Sequence, residues 1–189
     1  MYEYSLRNQE ISLVSGVDNF KGGKLVKVSK IDNDYIISID NNTQTLIFKV
    51  NIEEIDLVAQ NVTDYKISYD EKMIVWWDTE GVSVYWLEDT RTQPFKEAGD
   101  TEKILILKGI NNVYWHKQNG HLIIFTDRLV VFTEIDIRYV PNTVTMYDLY
   151  KDYDFEFNVR SIEAGIYNGD SNVIFFRIGS DLLRISLEE

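Results

Sequence analysis

Residues 65–87 read YKISYDEKMIVWWDTEGVSVYWL, and this stretch decides the fold. It divides into three extended runs, YKISY, MIVWW and VSVYWL, separated by the polar turns Asp70-Glu71-Lys72 and Asp78-Thr79-Glu80-Gly81. The runs are filled with β-branched and aromatic residues, whose side chains fit a pleated surface, while Asp and Gly occupy the gaps where the chain must reverse. Three short strands in succession, closed by a fourth at EKILILKG beyond a polar excursion from Glu88 to Asp100, make one antiparallel unit.

Related units lie on both sides. Before it come KLVKVSK, YIISI, TLIFKV and EEIDLVAQ; after it come NNVYWH, HLIIF, LVVFTEI and TVTMYDLY, and then FEFNVRSIEAGIY, NVIFF and LLRISL. The centres of the second strands, Ile36, Ile74, Ile123 and Ile174, recur at spacings of 38, 49 and 51 residues. Each is followed at 8 to 10 residues by the centre of the third strand, at Leu46, Val84, Val131 and Leu183. A four-stranded unit repeated at this period predicts an all-β β-propeller with four recognisable blades. A β-sandwich also gives short strands with frequent turns, and the constant hairpin spacing favours the propeller. The blades are expected at about 24–60, 61–109, 110–150 and 151–189, as one domain over 1–189. The last unit is a strand short, so a strand from residues 1–16 is expected to complete it. Four blades is the lower limit of a closed ring, so the chain also reads as half of a larger propeller or as one half of a self-associated pair.

Composition narrows the function. The chain has 189 residues, enough for one domain with a substantial core. Its apolar runs are about five residues long, against the roughly 20 needed to span a bilayer, so membrane contact by this segment is not expected. The start, MYEYSLRN, lacks the pattern of a secretion signal. With 31 Asp and Glu against 19 Lys and Arg the formal charge is −12, which opposes nucleic-acid binding. Cysteine is absent, and with it disulfides, thiolate metal sites and a cysteine nucleophile.

Residues 67–149 resemble a known family. The features are SYDEKMIVWW followed by VSVYWLED, the Lys96-Glu97-Ala98-Gly99 turn before ILIL, INNVYWH leading into HLIIF, and Glu134-Ile135-Asp136 with Arg138 and Asn142. This segment resembles the C-terminal β-propeller of PEGA-domain surface proteins of ultrasmall candidate-phylum bacteria. The resemblance implies an N-terminal membrane anchor, PEGA modules and a place in the cell envelope, and it implies no established chemistry.

No catalytic or metal constellation stands out. His116 and His121 flank a turn without a third ligand at a suitable spacing and read as solvated turn residues. No G-x-S-x-G elbow is present, and a hydrolase is the most distant reading. Gly22-Gly23-Lys24 lacks the phosphate-loop spacing, and Asp32-x-Asp34 lacks the Gly and Glu of a calcium loop. No cofactor is expected. The expected function is non-catalytic binding of a protein or peptide through the second-to-third strand connections, which share one face. These hold Asp40, Asn41, Asn42, Asp78, Glu80, Asp127, Arg128, Arg177 and Asp181. The Glu88–Asp100 excursion is expected at the opposite face. The alternative is a glycan-binding module in which Trp77, Trp86 or Trp115 reaches a rim and offers a stacking platform. The plainer role of these tryptophans is to fill space between blades.

Overall fold

A computed structural model describes residues 2–5, 10–13, 23–51, 55–152 and 161–187. They fall in two compact units, residues 1–62 and 63–189. In the first, strands β1 (Tyr2–Ser5) and β2 (Glu10–Leu13) form an antiparallel hairpin. The strands β3 (Lys24–Ile31), β4 (Asp34–Asp40), β5 (Thr45–Val50) and β6 (Ile55–Gln60) follow as a four-stranded meander. Ile37, Ile39, Phe48 and Val50 pack together on it.

The second unit repeats the meander. Its first sheet joins β7 (Asp64–Ile67), β8 (Met73–Trp77), β9 (Gly81–Trp86) and β10 (Thr101–Ile106). Its second joins β11 (Ile110–Trp115), β12 (His121–Thr126), β13 (Leu129–Glu134) and β14 (Thr143–Asp148). After the short helix α1 (Leu149–Asp152), the last sheet holds β15 (Ala164–Asn168), β16 (Val173–Ile178) and β17 (Asp181–Ser186). The repeated antiparallel meanders are propeller blades. β1 pairs with β2 in the first unit, and in the second β17 pairs with β16. The expected strand at FEFN lies outside the described residues.

Alternation along β12 shows why these sheets stack. Leu122 and Ile124 point to one side, where they join Trp77, Val84, Trp86 and Trp115 in a core shared with the β7–β10 sheet. Ile123 and Phe125 point to the other side and meet Tyr167, Ile174 and Phe176 of the last sheet. A strand buried on both faces is apolar on both, as LIIF of β12 is. Trp77 and Trp86 are 1% exposed and Trp115 3%. None of the three is a rim platform; they are the filling between sheets.

Polar bonds lock the stacking. Trp115 Nε1 donates to the Lys66 carbonyl at 3.1 Å, and Tyr114 OH donates to the Gly165 carbonyl at 3.2 Å. His116 differs from its expected role, being 7% exposed. Asn172 Nδ2 donates to the Leu187 carbonyl at 2.6 Å, which turns its Oδ1 toward Tyr167 OH at 2.9 Å and His116 Nε2 at 3.1 Å. That oxygen only accepts, so His116 donates from Nε2. The turn between β11 and β12 is thereby fastened to the next sheet, which the local sequence around His116 does not reveal. His116 and His121 do approach, with ring centroids 5.9 Å apart.

Gly165 measures how closely the sheets approach: a Cβ there would lie 2.1 Å from the Phe125 ring. Gly165→Ala should cost about 1–3 kcal/mol through overpacking, read as a lower urea midpoint at unchanged slope. Gly120→Ala meets nothing within 4 Å and should stay within about 0.5 kcal/mol. Equal midpoints for the two variants would contradict this contact.

Candidate binding cleft

In an antiparallel meander the first-to-second and third-to-fourth connections leave at one end of the sheet and the second-to-third connection leaves at the other. The candidate residues named from the sequence belong to the second-to-third connections, at the latter end. In the structure many of those polar side chains build their own turns. Asp40 Oδ1 accepts from Asn42 N, and Asn41 Oδ1 accepts from Thr43 N and Gln44 N. Asp78 Oδ1 accepts from Glu80 N at 2.7 Å and Gly81 N at 2.8 Å. Such Asx turns are the usual reason for Asp and Asn between strands. Asp127 Oδ1 accepts from Asn111 Nδ2, Glu80 lies 3.7 Å from Lys103, Arg177 pairs with Glu163, and Asp181 opens β17.

Arg128 has a structural partner too. Its Nε and Nη2 donate to the two oxygens of Asp148 at 2.8 and 2.7 Å, and its guanidinium lies 4.4 Å from the Tyr150 ring centroid. Asp148 in turn caps α1 by accepting from Tyr150 N. The bidentate bond from Arg128 holds the Asp148 carboxyl down at about 2.

The opposite end holds a cleft of about 1130 Å³. Its floor is the upper edge of the core, at Met73, Trp86 and Ile135, all buried. One wall is the excursion between β9 and β10, as expected at this end; the other comes from the β11–β12 turn at Gln118, Asn119 and Gly120. Asp70 and Lys72 of the β7–β8 turn and Asp136 after β13 complete it.

The excursion is a built loop. Thr90 N donates to the Lys96 carbonyl, Lys96 N donates to Thr90 Oγ1, and Thr90 Oγ1 donates to the Pro94 carbonyl. Ala98 N donates to Asp89 Oδ1. Beneath it Lys96 pairs with Glu102, with Nζ 5.3 Å from the Trp86 ring centroid. Across the mouth, Arg138 pairs with Asp136, which holds that carboxyl below its ordinary value, and donates to Gln93 of the excursion. The connection after β13 is thus tied to the excursion.

The walls carry both signs of charge. Lys72 and Glu88 pair at 3.1 Å. Arg91 lines the cleft without an ion pair among the described residues, as do Asp70 and Asp89. Phe95, Tyr139 and Val140, on the two tied loops, are 69%, 83% and 92% exposed. Tyr69, beside Asp70, is 58% exposed, and its backbone N donates to Asn119 Oδ1 at 2.9 Å. Tyr69 and Tyr139 do not stand out in the sequence; the unusual length of the excursion, with Phe95 in it, is the signal for this region. Among the described residues, no three His, Asp or Glu side chains converge as metal ligands. No helix among them is long and apolar enough to cross a membrane.

No family model matches the chain, and no curated protein matches it. Solved structures do. The β-propeller domain of the trilobed protease from Pyrococcus furiosus, which has an open velcro topology, aligns at 17% identity and a TM-score of 0.52, over 82% of this chain and 48% of that one. A candidate 6-phosphogluconolactonase from Bacteroides uniformis aligns at 10% identity and 0.55, over 99% and 60%. The acylaminoacyl peptidase of Pyrococcus horikoshii aligns at 16% and 0.51, over 89% and 33%. This chain therefore spans between a third and three-fifths of each of these structures, and at such identities the likeness is one of fold: this is a β-propeller chain.

The Arg128–Asp148 pair gives a test by pH. A folded-state value below the unfolded one, near 3.9, contributes stability above about pH 4 that is lost as pH falls toward 2. Asp148→Asn should therefore lower the melting temperature at neutral pH and flatten its fall between pH 4 and 2, followed by circular dichroism. An unchanged acid limb would show that the pair contributes nothing.

Proposed function

We propose that the chain is a non-catalytic interaction module of a larger cell-envelope protein, holding a protein or peptide segment in the cleft above β7–β14. The observation that carries this reading is the cleft itself: an apolar floor, polar walls of both charges, and exposed aromatic and aliphatic side chains on the loops at its mouth. Protein recognition surfaces combine these features, with apolar anchors taking the energy and a polar rim setting register. The two walls are fixed by internal bonds before any ligand arrives, which lowers the ordering cost of binding. Four carboxylates against two cationic side chains on the walls favour a basic or neutral segment. The envelope location rests on the resemblance of residues 67–149 to surface proteins.

A second reading, glycan binding, is favoured by Tyr69, an exposed ring beside the amide-bearing Asn119. Sugar rings stack on such faces while amides and carboxylates take their hydroxyls.

Peptides selected from a displayed random library on the purified chain separate the two. The expected binders are neutral or basic, weaken several-fold between 50 and 500 mM salt, and lose at least tenfold in affinity when Ala98→Trp or Gly120→Trp fills the cleft. Binders indifferent to both substitutions would place recognition elsewhere. Saturable sugar binding lost in Tyr69→Ala would favour the glycan reading.

A further inference from the structure

We propose that the cleft selects, within an extended peptide, a basic and an acidic side chain two residues apart, the first held by Asp70 and Asp89 and the second by Arg91. This specificity rests on the peptide reading of the cleft. It follows from which polar groups of the walls the fold leaves uncommitted.

Six charged side chains line the walls, and three of them are committed within the fold. Lys72 and Glu88 neutralise each other at 3.1 Å, and Asp136 is held by Arg138. Asp70 and Asp89 are only half used. Oδ1 of Asp70 accepts from Ser68 Oγ at 2.7 Å and Oδ1 of Asp89 accepts from Ala98 N at 2.8 Å, but neither carboxylate has an ion pair among the described residues. The exposed Arg91 guanidinium has neither a hydrogen bond nor an ion pair among them. The walls therefore offer an occupant two anchored carboxylates and one guanidinium.

The neutral polar groups suit a polypeptide main chain between those charges. Asn119 Oδ1 accepts from Tyr69 N at 2.9 Å, and Gln93 Oε1 accepts from Arg138, so each amide keeps its NH2 group for the occupant. They lie on opposite walls, and both are donors, as the carbonyl oxygens of an extended segment require. Spacing sets the rest. Asp89 and Arg91 line the same wall two residues apart, within about 7 Å along the chain. Side chains at i and i+2 of an extended peptide share a face and also lie about 7 Å apart. A Lys or Arg two residues from an Asp or Glu thus meets both groups at once, with the Arg91 fork matching a carboxylate. A uniformly basic segment sets a like charge against Arg91, and a uniformly acidic one sets a like charge against Asp89.

The test titrates fluorescently labelled, end-blocked peptides with the full chain by anisotropy. All share the frame Gly-Val-Leu-X-Thr-Z-Leu-Val-Gly, with X and Z set to Lys and Glu, Glu and Lys, Lys and Lys, Glu and Glu, or Gln and Gln. One of the two mixed peptides is expected to bind about tenfold tighter than the Gln peptide, the gain of two half-exposed ion pairs, and tighter than either like-charged peptide. Arg91→Glu should make the Lys-Lys peptide the best binder. Asp70→Asn with Asp89→Asn, which keeps the oxygens that accept from Ser68 and Ala98, should abolish the preference for Lys over Gln. Removing the committed pair, Lys72→Met with Glu88→Gln, should leave the ranking unchanged. Equal binding of the mixed and Gln peptides, tightest binding of the Lys-Lys peptide by the unaltered chain, or a ranking indifferent to Arg91→Glu overturns the proposal; where Ala98→Trp still abolishes binding, the peptide reading survives it. Absence of binding by all five overturns this specificity, and the displayed library then decides whether the cleft takes peptides of another kind.

Discussion

A sheet with two apolar faces must be sandwiched, and the β11–β14 sheet is one. Its strands send Leu122, Ile124 and Val131 into one core and Ile123, Phe125 and Val130 into the other. Neither face can meet water without exposing several large side chains at about 25 cal/mol per Å². The sheets before and after it supply the two covers, and the second unit owes its order to this stacking. Close fit follows from the same demand. Gly165 lets the backbone of β15 approach Phe125, and the bonds from Trp115 and Tyr114 to main-chain carbonyls satisfy polar atoms that stacking would otherwise strand.

The strands were legible because each level of the sequence agrees with the next. MIVWW and TLIFKV coincide with β8 and β5 residue for residue, since these β-branched and aromatic runs border Asx turns, after β8 and before β5, whose side chains bond the backbone at once. The same chemistry makes a binding loop hard to tell from a turn. Asp and Asn that close turns look, in sequence, like Asp and Asn that bind ligands, and only the hydrogen bonds of Asp40, Asn41 and Asp78 tell them apart. The start of helix α1 reads as strand in TVTMYDLY because MYDLY continues the alternation of β14; the cap provided by Asp148 is a contact that periodicity does not carry. His116 went astray for a related reason. Its partners Tyr167 and Asn172 are about 50 residues away in sequence and belong to the next sheet.

The contrast between the two ends of the sheets has a simple origin in loop length. The second-to-third connections in the second unit are short, and their carboxylates are largely committed to closing them. The third-to-fourth connection after β9 runs from Leu87 to Asp100, long enough to fold on itself around Thr90 and Lys96 and still present Arg91 and Phe95 outward. Surplus length, once tied down, is what frees side chains for recognition. The tie is also polar: Lys96 and Glu102 sit half-buried under the loop, and Arg138 reaches Gln93 from the neighbouring sheet.

Rigidity and recognition therefore come from the same stack. Met73, Trp86 and Ile135 are core residues when viewed from below and cleft floor when viewed from above, so the apolar base of the site is fixed by the packing that holds two sheets together. A substitution that enlarged the floor, at Trp86 for instance, would remove a side chain that both sheets and the Lys96 ammonium rest upon. Specificity can vary in such a molecule only where side chains are not shared with the core. Those positions are the outward residues of the excursion and of the connection after β13, and they carry the exposed Phe95, Tyr139 and Val140 above a floor whose shape the fold has already set.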